Sequence, residues 1–565
     1  MNRTATRFFH KVGVMLVVAM VIFGVMSVAV TWIGFGQRHG LIHGIIYGET
    51  DPLQRLWPIV TLALLSLALA AVFVCQDIPS RTVFDASQAR ILRTFTIGII
   101  LAGGATSLSA IWALRAFPFS ADEYDYLFQA ETFLRGRLWN PLLPGHEFFS
   151  FYWIVEKAGK WLSSFPPGWP ALLAGAHLVG MPFWAVCPLL GAMSLIFLAK
   201  LAGREDGPAG TAIALALVVF SPFFAFNAGS FYSHVPTAAF GLMFCYYGMK
   251  VIDTPDWRFA ALAGASLGMV GAIRPFDTMI YAIPFSVELL LRARRRHVGV
   301  MAVIGLSGLP YLVGLVLYTR AITGSVFVPV QVWAYSNIPI GFHSTNLEGR
   351  PISFFDEILF FKTRIWMLAE WTSLIFVISF VPALTWKIVQ RKIRFYDFII
   401  PTTVIAYLFV HTDMGGDEYG PRFYFEGFML MPLTVGSMIV GLIQERKPST
   451  AAAAAGLTTA HILICLASLA TLLVYMRKVV DERFDIYDQV RQAGLHNALV
   501  IVHRRDIFAR NGLDRDGDVI YALNLPGRIK ELHGLFPNRQ FYFYNRTDPE
   551  TRGELLSLQP TSQPR

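Results

Sequence analysis

Two adjacent carboxylates, Asp122 and Glu123, open the segment FSADEYDYLFQAETFLRGRLWNP at residues 119–141. They stand where a long apolar stretch ends, so they meet a boundary between hydrocarbon and water. A carboxylate there can hold its proton more tightly than in water and act as a general base toward a hydroxyl. The same pair also suits the first turn of a helix, where acidic side chains complement the dipole and do no chemistry. Two arginines supply the complementary charge. Arg274 lies inside the otherwise apolar GAIRPFDTMIYAIP, and Arg422 lies in YGPRFYFEGFMLMP between Tyr419 and Tyr424. An arginine at membrane depth points to function, because its planar fork donates in pairs to phosphate and stays charged. Snorkelling to the interface, or pairing with Asp277 or Glu426, is the bland alternative for both.

Other polar groups gather around these. His411, Asp413, Asp417 and Glu418 form a dense set of possible oxygen and nitrogen ligands. Carboxylate and imidazole donors can hold a divalent cation, but no ligand spacing recurs here, so no metal residue is assigned and sugar hydrogen bonding is the better use. His234 follows Tyr232 in SFYSHVPTAAF. Trp139, Tyr152, Trp153 and Trp169 could stack on sugar rings, and an aromatic belt at a membrane surface would explain them equally well.

The elements that must position these residues are membrane helices. The chain has 565 residues, of which 55% are hydrophobic and 15% charged. Soluble proteins carry roughly 25% charged residues. About 20 apolar residues cross a bilayer core. Segments of that kind lie near 13–34, 56–76, 94–116, 185–201, 209–227, 234–252, 259–273, 275–292, 299–318, 372–390, 396–411, 424–443 and 457–476. The expected architecture is therefore an all-α polytopic bundle of about thirteen transmembrane helices. The first apolar run lacks a small-residue cleavage pattern before Trp32 and reads as a retained anchor.

Charge sets the orientation. With the N-terminus in the cytoplasm, the inside loops collect Arg81, Arg90 and Arg93, then Lys200 and Arg204, Lys250 and Arg258, Arg292 to Arg296, Lys387 to Arg394, and Arg446 with Lys447. That agrees with the excess of basic residues in cytoplasmic loops. It also accounts for the net charge of +9 without nucleic acid, for which no binding module is present. Segments at about 117–165, 319–371 and beyond 477 then share the opposite, periplasmic or extracellular side of a plasma or inner membrane. Cys75, Cys187, Cys245 and Cys465 sit in apolar surroundings and read as small core residues.

The tail changes character. DERFDIYDQVRQAGLH has the periodicity of an amphipathic helix, while NALVIVH, DVIYALNL and RQFYFYN read as short strands, with a helical PGRIKELHGLF before the last. Strands alternating with helices predict a small α/β domain with parallel pairing. The expected organisation is two N-terminal spans (1–93), a transmembrane core with its outer loops (94–476) and a soluble domain on the non-cytoplasmic side (477–565).

An Asp-Glu pair followed by tyrosines and Ala-x-x-Phe-Leu-x-Gly after an early span resembles the first outer loop of GT-C glycosyltransferases. The likeness is to the protein O-mannosyltransferase and aminoarabinose-transferase branch. FPPGWPALLAG at 165–175, the SFYSHVPTAAF turn, the Arg-Pro turn at 274–275 and the Gly-x-Arg-Phe core at 420–423 resemble further outer segments, over roughly residues 94–445. The resemblance implies an inverting sugar transfer from a polyprenyl phosphate donor to an acceptor hydroxyl, with Asp122 as base beside Glu123. Arg274 and Arg422 would hold the donor phosphate, and Tyr126, His234, Tyr419 and Tyr424 would line the substrate site. It requires no metal. Two additional spans ahead of the first outer loop, Ser233-His234 where the family often has an acid, and the α/β tail all depart from the family pattern. A lipid-linked saccharide flippase or transporter would explain the spans and an intramembrane arginine, though no inverted repeat is visible. A polysaccharide polymerase would share the lipid-linked substrate but call for more outer basic residues.

Overall fold

The computed structural model describes residues 102–292, 295–335, 351, 353–408, 418–504, 508, 510–546 and 553–558. The first two expected spans, the start of the third (94–101), and His411, Asp413 and Asp417 lie outside the described residues.

The helix α1 (Ala121–Leu134) carries the acidic pair. Its start is dictated locally by Ser120 and Glu123, whose side chains each accept from the other's backbone N–H. This reciprocal cap satisfies donors that a helix start otherwise leaves open. Beyond α1 the outer loop forms a feature not expected from the sequence, a three-stranded antiparallel sheet. Its strands are β1 (Asn140–Pro141), β2 (Ile154–Lys157) and β3 (Lys160–Ser163), in the order β1-β3-β2. The strands are two to four residues long, too brief for a periodic signal to stand out. The helix α2 (Gly168–Leu178) returns the chain to the membrane.

Two expected spans, 185–201 and 209–227, lie largely on α3 (Phe183–Val219), which breaks at Gly207, where φ is 65°. The Thr211 hydroxyl donates to the Ala199 carbonyl at 3.2 Å. Twelve residues of straight helix would separate these groups by about 18 Å, so the two halves fold back on each other as a hairpin. Next come α4 (Pro222–Gly229), α5 (His234–Asp253), α6 (Trp257–Ile273), α7 (Pro275–Arg292) and α8 (Arg295–Thr323). The apolar face of α8 is left uncovered, with Leu306, Leu312 and Leu317 all more than half exposed. Such a surface suits contact with lipid tails.

The second outer segment holds α9 (Val330–Tyr335) and α10 (Phe354–Trp371), and α10 bends by 113° into α11 (Leu374–Val389). The helices α12 (Ile399–Tyr407), α13 (Phe425–Phe428) and α14 (Met431–Gln444) complete the core. Among the described residues, four helices are long and apolar enough to cross a membrane, or six if each of two bent pairs counts as one span. These are the helices of a multi-pass membrane protein. Lys387, from the expected basic cluster, is fully buried, its ammonium 3.0 Å from Glu205 and 2.8 Å from Asp397. It therefore ties helix ends together instead of meeting solvent.

The last span is continuous with the amphipathic stretch of the tail as α15 (Pro448–Gln492), a single helix of 45 residues. At 1.5 Å per residue it is about 68 Å long, more than twice the bilayer core. It leads into a four-stranded sheet of β4 (Ala498–Val502), β5 (Val519–Leu523), β6 (Gln540–Asn545) and β7 (Glu554–Ser557), in the order β5-β4-β6-β7. The central β4 is buried along its whole length and pairs parallel with both β5 and β6, while β7 runs antiparallel to β6. The helix α16 (Ile529–Leu535) makes the crossover before β6. This domain docks on the acidic helix: the Tyr124 hydroxyl donates to the Phe508 carbonyl at 3.1 Å, and Arg135 pairs with Asp514.

Candidate functional site

Asp122 and Glu123 are neighbours in sequence but point to different partners. Glu123 is fully buried. Its Oε2 accepts from the backbone N–H of Phe119 and of Ser120, both at 3.0 Å, and from the Tyr419 hydroxyl at 3.4 Å. Its Oε1 accepts from the Phe231 N–H at 2.9 Å. Burial pushes the Glu123 carboxyl up to about 7, against the lowering effect of the three backbone bonds. The side chain thus closes the start of α1 and bolts it to the turn ahead of α5.

The Asp122 side chain retains 16% exposure, and its Oδ2 lies 2.8 Å from Arg422 Nη2. Burial raises the carboxyl above its ordinary value, and the Arg422 guanidinium, with Arg274 further off, draws it back. The Arg422 side chain is 7% exposed. Its guanidinium carbon sits 4.1 Å from the centroid of the Tyr232 ring, a cation–π contact. Glu418 lies 3.5 Å from Nη1, outside good hydrogen-bond geometry, and both Nε and Nη1 of Arg422 are buried without a hydrogen-bond partner. Buried cationic donors in that state are costly, and an anion offers what they lack.

Arg274 occupies a different setting. It pairs with Asp277, donates through Nη2 to the Tyr407 hydroxyl at 2.7 Å and through Nη1 to Ser233 Oγ at 3.4 Å. Glu426 Oε1 lies 3.7 Å from its Nε. The Tyr407 hydroxyl in turn donates to Asp277 Oδ1 at 2.8 Å. Both acids foreseen as bland partners are therefore near Arg274, whereas Arg422 faces Asp122. His234 Nδ1 lies 3.0 Å from Glu426 Oε1, and the Tyr126 hydroxyl lies 3.0 Å from Ser233 Oγ. Ser233 thereby joins the Arg274 network to α1.

The remaining sequence-selected residues separate. Tyr419 is buried against Phe226 and Tyr232, its hydroxyl on Glu123 and its carbonyl accepting from Asn227 Nδ2 at 3.0 Å. Gly420 follows it with φ at 88°, where an added Cβ would press on Phe223 and Trp371. Tyr424 instead has Arg364 and Glu357 as its electrostatic neighbours. Asp122, Tyr126, Arg274 and Arg422 share one neighbourhood, since both arginines and Asp122 act electrostatically on the Tyr126 hydroxyl. Sequence reasoning passed over Tyr232, which carries Arg422, and Ser233, which bridges the two halves. Their signal was adjacency to His234 alone. It also passed over Asp125, three residues from Asp122 on the same helix face. Among the described residues, no group of three or more His, Cys, Asp or Glu side chains is arranged to hold a metal ion.

No family model matches the sequence, and no curated protein matches it. Among solved structures, the chain is similar to ArnT from Cupriavidus metallidurans bound to undecaprenyl phosphate. That likeness has a TM-score of 0.49 and 11% identity, over 81% of this chain and 94% of that one. It is similar to arabinosyltransferase EmbB from Mycobacterium smegmatis, with a TM-score of 0.40 and 15% identity, over 66% of this chain and 33% of that one. It is similar also to the Archaeoglobus fulgidus oligosaccharyltransferase tethered to an acceptor peptide, with a TM-score of 0.40 and 9% identity, over 75% of this chain and 63% of that one. All three are GT-C glycosyltransferases. At these scores no residue of theirs is matched to one of this chain.

Proposed function

We propose that the protein is a membrane glycosyltransferase that moves a sugar from a polyprenyl phosphate to an acceptor hydroxyl, with inversion, on the non-cytoplasmic face. The reading rests on one observation: a partly exposed carboxylate, Asp122, 2.8 Å from a buried arginine whose Nε and Nη1 make no hydrogen bond. A base and a phosphate clamp are the two groups that such a transfer needs, and here they touch.

In this reading the donor phosphate takes Nε and Nη1 of Arg422, which make no hydrogen bond. Anchoring there weakens the hold of Arg422 on Asp122, so the carboxylate becomes more basic as the donor arrives. Asp122 then removes the proton of the acceptor hydroxyl. The acceptor oxygen bonds to the anomeric carbon as the carbon–oxygen bond to phosphate breaks from the opposite face. The leaving polyprenyl phosphate keeps the electron pair, and Arg422 stabilises its charge. Arg274 acts one shell away, fixing Ser233 and Tyr126 through its network, and contributes positive potential. Glu123 sets the position of Asp122 by closing the helix start. The α/β tail braces α1 from outside, through Tyr124 and Arg135.

The test uses purified full-length protein in nanodiscs with radiolabelled polyprenyl phosphate sugars and candidate hydroxyl acceptors. Transfer by the wild type and its loss in Asp122→Asn are expected. Absence of transfer with every such donor would favour a lipid-linked saccharide transporter instead.

A further inference from the structure

The second outer segment contains a helix built inside out. On α10, Glu357, Arg364, Leu368 and Trp371 fall on one helix face and all are buried. The opposite face shows Phe355, Leu359, Lys362 and Trp366, with Phe354 and Ile358 beside them, and all of these are exposed. A helix at a protein surface in water has the reverse pattern, with apolar residues inward and charges outward. Here Glu357 and Arg364 turn in while large apolar side chains turn out, Phe355 being 79% and Leu359 56% exposed. A contiguous apolar stripe of that kind marks a surface that something apolar covers.

The setting of α10 identifies the cover as lipid. The helix bends by 113° into α11, so the two are close to perpendicular, and a helix that leaves a span at that angle runs along the membrane plane. Together α10 and α11 have the apolarity of a membrane span, although the bend keeps them from making one straight crossing. Exposed apolar surface continues along the chain, since Val381 and Ile388 of α11 are both more than half exposed. Lys362 and Trp366 are side chains that suit the headgroup layer, where an aliphatic stem or a ring lies in apolar surroundings and the polar end reaches water. The start of α10 is also closed without water. Ser353 Oγ accepts from the Asp356 N–H at 3.3 Å, and Asp356 Oδ2 accepts from the Ser353 N–H at 2.8 Å. A helix start at membrane depth must satisfy its donors within the chain in this way.

From these relations we infer that α10 is seated in the bilayer, with its Phe355–Trp366 face among the lipids of the leaflet that borders the outer loops. Its inner face then bears on the loop that presents Arg422. Glu357 and Arg364 are the electrostatic neighbours of Tyr424, and Trp371 lies where a Cβ at Gly420 would meet it. The inference needs no donor and stands apart from the transfer reading.

The experiment is spin labelling of the full chain in nanodiscs of phosphatidylethanolamine and phosphatidylglycerol. The described cysteines are buried, so Cys75 alone is replaced, by alanine. Single labels go on Phe355→Cys, Leu359→Cys and Trp366→Cys. Leu312→Cys on the exposed face of α8 serves as the lipid reference, and Lys530→Cys on the exposed side of α16 as the water reference. Dissolved oxygen concentrates among acyl chains, whereas a charge-neutral nickel chelate stays in water. At 355, 359 and 366 the ratio of oxygen to chelate relaxation should follow the label at 312 and exceed that at 530. A ratio equal to that at 530 would overturn the inference, because the face would then lie in water. Labels that neither relaxant reaches would overturn it too, because protein (a second copy or another part of this chain) would then be the cover. Leu359→Asp gives an independent reading. An exposed substitution in water leaves stability nearly unchanged, whereas a carboxylate among lipids does not, so the unfolding midpoint in nanodiscs should fall. An unchanged midpoint would likewise overturn the inference. Neither readout involves transfer, so failure here leaves the proposed reaction untouched.

Discussion

Arg422 Nη2 lies 2.8 Å from Asp122 Oδ2, joining the helix that follows the third apolar segment to the loop ahead of the penultimate span. The contact does two things at once. It offsets part of the rise that burial gives the carboxyl, and it occupies one edge of the guanidinium while Nε and Nη1 make no hydrogen bond.

If Asp122 is the base, Asp122→Asn should lower transfer by about 10²–10⁴-fold, the range for loss of a general base. Binding of bare undecaprenyl phosphate should hold or tighten, because the arginine loses a competitor for its charge. Scintillation counting of product and a lipid-binding titration check the two halves. Retained transfer removes Asp122 from the role.

The pH dependence follows from the same pair. A base works as the carboxylate, so activity is present above its pKa and falls away as pH drops through it. Burial raises the Asp122 pKa and Arg422 lowers it. Arg422→Gln removes the lowering influence, so the acid limb of kcat/KM should move to higher pH, on a profile reduced by about 10²-fold or more from loss of a buried charged partner. An acid limb that stays put, or moves down, would show that the arginine does not control the titrating group.

Much of this was legible from residue type and order, and the rest was not, for physical reasons. The acidic pair, both arginines and the apolar segments announce themselves because charge beside hydrocarbon is rare. What sequence could not say is which acid meets which arginine. Asp122 and Glu123 differ by one position, yet on a helix that is a turn of about 100°, enough to send one to Arg422 and the other into the cap. The Ser120-x-x-Glu123 capping box was readable and would have separated them. The sheet of the first outer loop was hidden because its strands are too short for periodicity. The hairpin at Gly207 was legible as two apolar segments around a charged Gly-Pro break. The parallel tail sheet followed from alternating elements, and its antiparallel β7 did not.

Glu123→Gln is expected to destabilise the protein more than a surface substitution would. Glutamine keeps one carbonyl oxygen where Glu123 uses two, and it turns an amide donor toward backbone N–H groups of Phe119 and Ser120 or of Phe231. Loss of a helix cap costs about 0.5–2 kcal/mol, and each buried donor left open adds about 1–3 kcal/mol. The thermal unfolding midpoint in detergent should fall, and transfer should fall with it because Asp122 shifts. Because the Glu123 carboxyl titrates at about 7 when folded, above its ordinary value, its burial favours the folded state most at low pH. That contribution is lost as pH rises from about 4.5 through 7, so the wild-type midpoint should carry a downward component across that interval that Glu123→Gln lacks.

Tyr407→Phe tests the standing of Arg274. The Tyr407 hydroxyl receives from Arg274 Nη2 and donates to Asp277 Oδ1. Its removal should cost about 1–3 kcal/mol of stability and leave KM for the lipid donor close to that of the wild type. A large rise in donor KM would place this network in direct contact with the phosphate, as the sequence led one to expect for Arg274.

Gly420→Ala separates backbone strain from packing at the loop that presents Arg422. Gly420 has φ at 88°, and an added Cβ would come within 2.9 Å of both the Phe223 and Trp371 rings. Gly136 provides the comparison: its φ is 69°, and nothing lies within 4 Å of an added Cβ. Both substitutions force alanine into the left-handed region, at a cost of about 1 kcal/mol. Only Gly420→Ala must also displace two buried rings, which adds about 1–3 kcal/mol for overpacking. The Gly420 carbonyl accepts from the Arg422 N–H at 2.7 Å, and Tyr419 just before it reaches Glu123. A shift here therefore moves the phosphate clamp and the helix cap together. Gly420→Ala should lower the unfolding midpoint more than Gly136→Ala and should alone abolish transfer. Equal effects from the two would mean that the ring packing around Gly420 does not position Arg422.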